Sequence, residues 1–187
     1  MFNKDILLID LEFTGLDPKR HDIIQIAAVL LDKRTLKEKK FFNAYIKPSH
    51  WAKRDPESMA INGIEWETLK YAPSLRTVIN AFNKKFSKNI MLAYYGGSLD
   101  IEFLKAAYTQ IGKKFEFNYH YINLWVIFYT YLVVKNKFAT AKGPKKFSLK
   151  NLAKYFKIPA LDLHDALSDC RVEAEILRTV IKEMKKR

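Results

Sequence analysis

The sequence predicts an α/β domain built on a mixed five-stranded sheet whose first three strands are antiparallel. Two observations carry this: three β-type runs come first, and from Ser74 onward apolar residues recur at helical spacing between short strand-like runs. Met1 to Phe13 reads as the first strand. Its Ile6, Leu7, Leu8, Ile9 and Leu11 form a nearly unbroken apolar run, as expected of a central strand buried on both faces. Ile23 to Leu31 and Lys40 to Ile46 are the next two strands, and the polar stretch Asp32 to Lys39 between them suits a hairpin turn. Ser74 stands as N-cap of a helix with Leu75, Val78, Ile79, Phe82 and Phe86 on one face. Ile90 to Ala93 is a short strand. After Gly96 and Gly97 a helix follows with Ile101, Leu104, Tyr108 and Ile111 as its stripe. Tyr119 to Asn123 is read as the fifth strand and Leu124 to Val134 as a helix. Ala139 to Lys146 is read as a loop, and Ser148 caps a helix carrying Leu149, Leu152, Ala153 and Phe156. A last helix begins near Asp165, with Cys170, Ala174, Leu177, Ile181 and Met184 as its core stripe.

At 187 residues the chain has the length of one domain, and residues 1–187 are read as such, without internal repeat or linker. Hydrophobic residues at 49% and aromatics at 14% exclude disorder for the chain as a whole. The formal charge of +13 favours anionic partners, nucleic acid first, although 26 of the 33 basic residues are Lys, and a Lys-rich surface also serves solubility. The lone Cys170 cannot form an intramolecular disulfide and no cleavable leader is recognisable, so a cytoplasmic setting is expected. The longest apolar run, Ile122 to Val134, is shorter than the roughly 18 residues a membrane span needs, and no membrane association is expected.

Asp10 and Glu12 lie two apart on the first strand, so both carboxylates leave the same face of the sheet. At about 4 Å and an effective dielectric near 20 they repel by about 4 kcal/mol, which a bound divalent cation or protonation of one acid relieves. Taken alone, such a pair fits a solvated strand end at least as well. Asp100 opens a helix behind a glycine pair, where a carboxylate can serve simply as a cap. His164 and Asp169 are separated by five residues in HDALSDCRVEAEIL. If both were helical they would point about 140° apart, so His164 is placed just before the helix, where it could swing toward a group held by Asp169.

These residues stand in three short motifs: IDLEFTGLDP around Asp10 and Glu12, YYGGSLDIEFL around Asp100, and HDALSD from His164 to Asp169. In this order and spacing the chain resembles the DEDDh 3′–5′ exonucleases, the family of the bacterial DNA polymerase III proofreading subunit, oligoribonuclease and RNase T. The resemblance runs from Ile6 to about Leu177. SMAINGI, Ser58 to Ile64, is similar to the family's small segment near the substrate terminus. The chain departs from the common pattern at Tyr95 and Gly96, where many members carry His-Asn, and at Phe13, where Thr is frequent.

The resemblance implies a ribonuclease H-like three-layer fold and a metal-dependent 3′–5′ exonuclease that releases nucleoside 5′-monophosphates from single-stranded nucleic acid, DNA favoured and RNA possible. It implies two divalent cations, Mg²⁺ or Mn²⁺, which suit an all-oxygen donor set. Asp10 would bridge both ions, Glu12 and Asp169 would hold the one that activates water, and Asp100 would support the other. His164 would accept the proton of the nucleophile. Backbone amides around Phe13 and Thr14 would hold the 3′ end, Leu16 would wedge beside the terminal base, and Ile64 would lie close to it. Lys145 and Lys146, within the basic stretch Lys142 to Lys154, could track phosphates, although a solvated loop explains them about as well. The expected partners are single-stranded DNA or RNA 3′ ends and a DNA polymerase. Two rival readings stand beside this one: an oligoribonuclease-like activity on short RNA, and a non-catalytic nucleic-acid or polymerase-binding module.

Overall fold

A computed structural model describes residues 2–135, 147–159 and 165–186. Five strands form one mixed sheet: β1 (Ile6–Phe13), β2 (Ile23–Leu31), β3 (Glu38–Tyr45), β4 (Met91–Tyr94) and β5 (Ile122–Asn123), in the order β3-β2-β1-β4-β5. The first three are antiparallel neighbours, whereas β4 runs parallel to β1 and β5 parallel to β4. β1 is therefore central, as its apolar run requires. Leu7, Ile9 and Leu11 face one layer and Ile6 and Leu8 the other. β2 is buried along its whole length, and β3 is an exposed edge strand.

The helices α1 (Pro56–Asn62), α2 (Trp66–Leu69), α3 (Leu75–Lys85), α4 (Leu99–Gln110), α5 (Leu124–Val134), α6 (Leu149–Phe156) and α7 (Ala166–Met184) complete the described fold. Val78, Ile79 and Phe82 of α3 and Ile101, Phe103, Leu104 and Tyr108 of α4 fill the layer under Leu7, Ile9 and Leu11. α5, α6 and α7 pack over the opposite face, around Ile6, Leu8, Ala27 and Val29. The expected caps Ser74 and Ser148 are in place, accepting the amides of Thr77 and Asn151, and Asp165 caps α7 by accepting the Ser168 amide.

Four expectations are corrected or fall outside view. α1 and α2 were not foreseen; Asp55 as N-cap, Pro56 in the first turn and the left-handed Gly63 (φ 65°) punctuate α1, but its short apolar pattern is not periodic. The fifth strand is only two residues long, because Tyr119 projects into solvent and Asn123 already caps α5. Met184 is 57% exposed and ends the α7 stripe outside the core. The predicted loop Ala139 to Lys146 lies outside the described residues.

Candidate active site

The carboxyl ends of β1 and β4, where a mixed α/β sheet places ligands, carry the predicted acids. Asp10 and Glu12 share the face of β1 that also carries Ile6 and Leu8, the face covered by α7. Asp169 sits in the first turn of α7. Its helix is anchored from below: the Gln25 side chain, opposite Glu12 in the β1–β2 register, donates to Asp165 Oδ1 at 2.9 Å and to Asn43 Oδ1 at 3.0 Å. Gln25 is almost fully buried, so its amide fixes the start of α7 relative to the end of β1.

Asp100 is not the helix cap; that position belongs to Ser98. Parallel pairing of β4 with β1 stops at Leu8, and beyond it the Leu11 amide donates instead to Asp100 Oδ1 at 3.2 Å. One backbone hydrogen bond thus brings the second motif beside the Asp10-Leu11-Glu12 segment.

The electrostatics show how closely these groups lie. Burial, and then the charges of Asp100, Glu173, Glu12 and Asp169, hold the Asp10 carboxyl far above the usual range. Burial, and then Asp169, Asp100 and Asp165, push Glu12 to about 8. Burial raises Asp100 to about 7 against the opposing Leu11 amide. Glu173, one helical turn beyond Asp169 and 2% exposed, is raised by burial and by Asp100 and Asp169. Carboxyls held so close are relieved by protonation or by a bound cation. Among the described residues no three His, Cys, Asp or Glu side chains form a ready-made coordination shell. The donor set is all oxygen, which fits a hard divalent cation once the carboxylates turn inward on it.

The loop after β1 is tied down from several sides. The Thr14 amide donates to Asp22 O at 2.9 Å and its Oγ1 accepts from the Asp22 amide, while Thr14 O accepts from the Asp55 amide. Thr14 is wholly buried and its amide is taken up within the loop. Its bonds shape the loop that presents Leu16, which is 66% exposed. Phe13 stacks on Phe103 at 3.9 Å between ring centroids, so in place of a hydroxyl it contributes packing against α4. The buried Asn62 donates to Phe13 O and accepts from the Ile64 amide, each at 3.0 Å, bringing the half-buried Ile64 to the same end of β1. Tyr95 donates its hydroxyl to Phe147 O at 2.8 Å and so holds the approach to α6. His164, Lys145 and Lys146 lie outside the described residues.

Sequence reading missed Gln25, Asn62 and Glu173. The signals were a polar residue inside an apolar strand, an Asn before a helix-ending Gly, and an acid four residues after Asp169.

A mixed sheet in this order, with Asp10 and Glu12 on its central strand and Asp100 and Asp169 in the first turns of α4 and α7, is an α/β domain with an acidic site at its strand ends. The family model described as exonuclease, RNase_T, matches residues 7–177. The DNA polymerase III subunit epsilon of Rickettsia prowazekii is 33% identical over 175 residues, covering 91% of this chain and 71% of that one. The chain belongs to the DEDDh 3′–5′ exonuclease family. Among solved structures, the nuclease domain of 3′hExo, a DEDDh family member bound to rAMP, superposes with a TM-score of 0.72 at 21% identity, over 96% of this chain and 92% of that one. E. coli exonuclease I in complex with a dT13 oligonucleotide gives 0.79 at 17% identity, over 95% of this chain and 41% of that one. The chain spans less than two thirds of several of the solved chains it matches. Family membership implies dependence on divalent metal. Among the described residues no helix is long and apolar enough to cross a membrane.

Proposed function

We propose that this chain trims single-stranded nucleic acid from its 3′ end by metal-dependent hydrolysis, DNA in preference to RNA, releasing nucleoside 5′-monophosphates. The observation that carries the reading is the convergence of Asp10, Glu12, Asp100 and Asp169 from three separate segments on one end of the central strand, where the Leu11 amide holds Asp100 and Gln25 holds the start of α7. Two divalent cations, Mg²⁺ or Mn²⁺, would supply neutralisation of the phosphoryl charge and an acidified water. Asp10 is assigned to both cations, Glu12 and Asp169 to the one nearer the nucleophile, and Asp100 to the other. His164, immediately before the α7 cap Asp165, is assigned the proton of the attacking water. Leu16 and Ile64 are assigned to the terminal nucleotide; stacking on apolar side chains tolerates any base. Lys145 and Lys146, in the basic stretch ahead of α6, are assigned to phosphates farther along the strand.

A single-stranded 3′ end is supported by the neighbours' bound ligands, a dT13 oligonucleotide in exonuclease I and rAMP in 3′hExo. The epsilon-subunit relative supports DNA as substrate and a polymerase as partner. The test is digestion of 5′-labelled and 3′-labelled DNA and RNA oligomers by the purified chain with Mg²⁺, Mn²⁺ or EDTA. Expected is a ladder shortening from the 3′ end, faster on DNA, and abolished by EDTA. Preference for very short RNA would favour the oligoribonuclease-like reading, and binding without degradation would leave a non-catalytic module.

A further inference from the structure

The motif that carries the family resemblance ends at Asp169, yet the acidic ladder on α7 continues. Glu173 follows four residues later, about 40° around the helix, so it lies on the same face as Asp169. Like charges at this spacing destabilise a helix. Glu173 is 2% exposed, and its Oε2 is buried with no hydrogen-bond partner among the described residues. Its surroundings are the core layer of Cys170, Ala174 and Leu177 against β1 and β2, together with the carboxyls of Asp10, Asp100 and Asp169, whose charges it feels. Among the described residues it has no basic partner in an ion pair. A structural buried carboxyl normally has its lone pairs satisfied, because an unmatched one is costly. The described side chains supply no such partner for Glu173 Oε2.

We propose that Glu173 belongs to the cation centre as a fifth carboxyl, set on the core side of Asp10, Asp100 and Asp169, where it strengthens retention of divalent cation. It acts as a positioning residue through the ions and the ligand carboxylates, without touching substrate. The inference rests on the metal-site reading above.

The experiment is Mn²⁺ titration of the full chain without nucleic acid, followed by EPR of free Mn²⁺ or by calorimetry, in wild type, Glu173→Gln, Glu173→Asp and Asp10→Asn. Near-UV circular dichroism checks folding. Glu173→Gln keeps shape and loses charge; it is expected to weaken Mn²⁺ binding about 10- to 100-fold, the range found for groups that support metal ligands. Glu173→Asp, which keeps the charge, should recover part of that loss. Wild-type Mn²⁺ affinity in folded Glu173→Gln, with affinity lost in Asp10→Asn, would overturn the role of Glu173 and leave the site standing. If wild type itself takes up no Mn²⁺, the metal site falls, and the role of Glu173 with it.

Discussion

The cluster at the end of β1 should make the metal-free protein measurably less stable as pH rises, and Glu12→Gln isolates the effect. Glu12 is pushed from an ordinary 4.5 to about 8, by burial first and then by Asp169, Asp100 and Asp165. The folded chain therefore holds this proton to higher pH than the unfolded chain does. Its contribution to stability is fully present below about 4.5 and is lost as pH rises toward 8, at about 1.4 kcal/mol per pH unit. The whole interval corresponds to about 5 kcal/mol, a ceiling that shrinks if the ionised side chain turns toward solvent. Glutamine keeps the shape and never ionises. In EDTA the variant should match wild type near pH 4.5 and melt higher at pH 8.5, by up to about 10 to 20 °C at about 2 to 4 °C per kcal/mol for a domain of this size. Saturating Mn²⁺ should narrow the difference, since a ligand at 100 times its Kd adds about 2.7 kcal/mol to the protein that binds it. Thermal unfolding from pH 4.5 to 8.5, with and without Mn²⁺, provides the assay. A difference in Tm that does not vary with pH would show that Glu12 is not strained by its neighbours, and the argument for a cation among these acids would lose its electrostatic basis.

Asp10→Asn should abolish turnover with Mg²⁺ while raising the melting temperature of the metal-free protein, because it removes the acid coupled to Asp100, Glu173, Glu12 and Asp169; near-wild-type activity in a gel assay would refute its assignment. His164→Ala should lower kcat about 10²- to 10⁴-fold without changing Mn²⁺ affinity, and should remove the limb of the pH–rate profile that rises as the imidazole loses its proton. An unchanged profile would show that the histidine takes no proton. Gly15→Ala places a Cβ 2.5 Å from His21 Cδ2 and Nε2, and the ring is held by the Asp17 amide at 3.0 Å, so the Leu16 loop must shift. A loss of about 1 to 3 kcal/mol in denaturant unfolding and a rise in KM larger than any fall in kcat are expected; wild-type values in both would mean that the ring yields freely.

What could be read from the residues follows from how local each signal is. The apolar run Ile6 to Leu11 announces a two-sided strand because burial on both faces leaves no alternation, and the ends of β2, α3, α5 and α7 are written in hairpin polarity and in Ser, Asn or Asp caps. The acids were legible as motifs, each ambiguous alone and informative only in order. What escaped was pairing across the fold. Nothing near Asp100 says that its carboxylate takes the Leu11 amide, 89 residues away, and nothing in β2 says that Gln25 reaches Asp165, 140 residues on. α1 was hidden for a different reason: Ile61 is 59% exposed, so its residues follow no burial period, and the helix exists to bring Asn62 against Phe13 O.

The two kinds of residue meet on α7, where the periodicity argument needs widening. Its stripe was traced through apolar residues alone, Cys170, Ala174 and Leu177, all buried as expected. The acids Asp169 and Glu173 stand one turn apart on a face that starts beside the cap Asp165, held by Gln25, and continues past Asp10. A helix that packs an acidic stripe beside its apolar one against a sheet does so at a cost in repulsion and desolvation. That cost is tolerated because the sheet is unusually well determined there: β1 is buried on both faces, and β2 is buried throughout. Stability made in the middle of the sheet is what lets its end hold charges that repel one another until a cation arrives, and the acidic face of α7 marks how far into the core that arrangement extends.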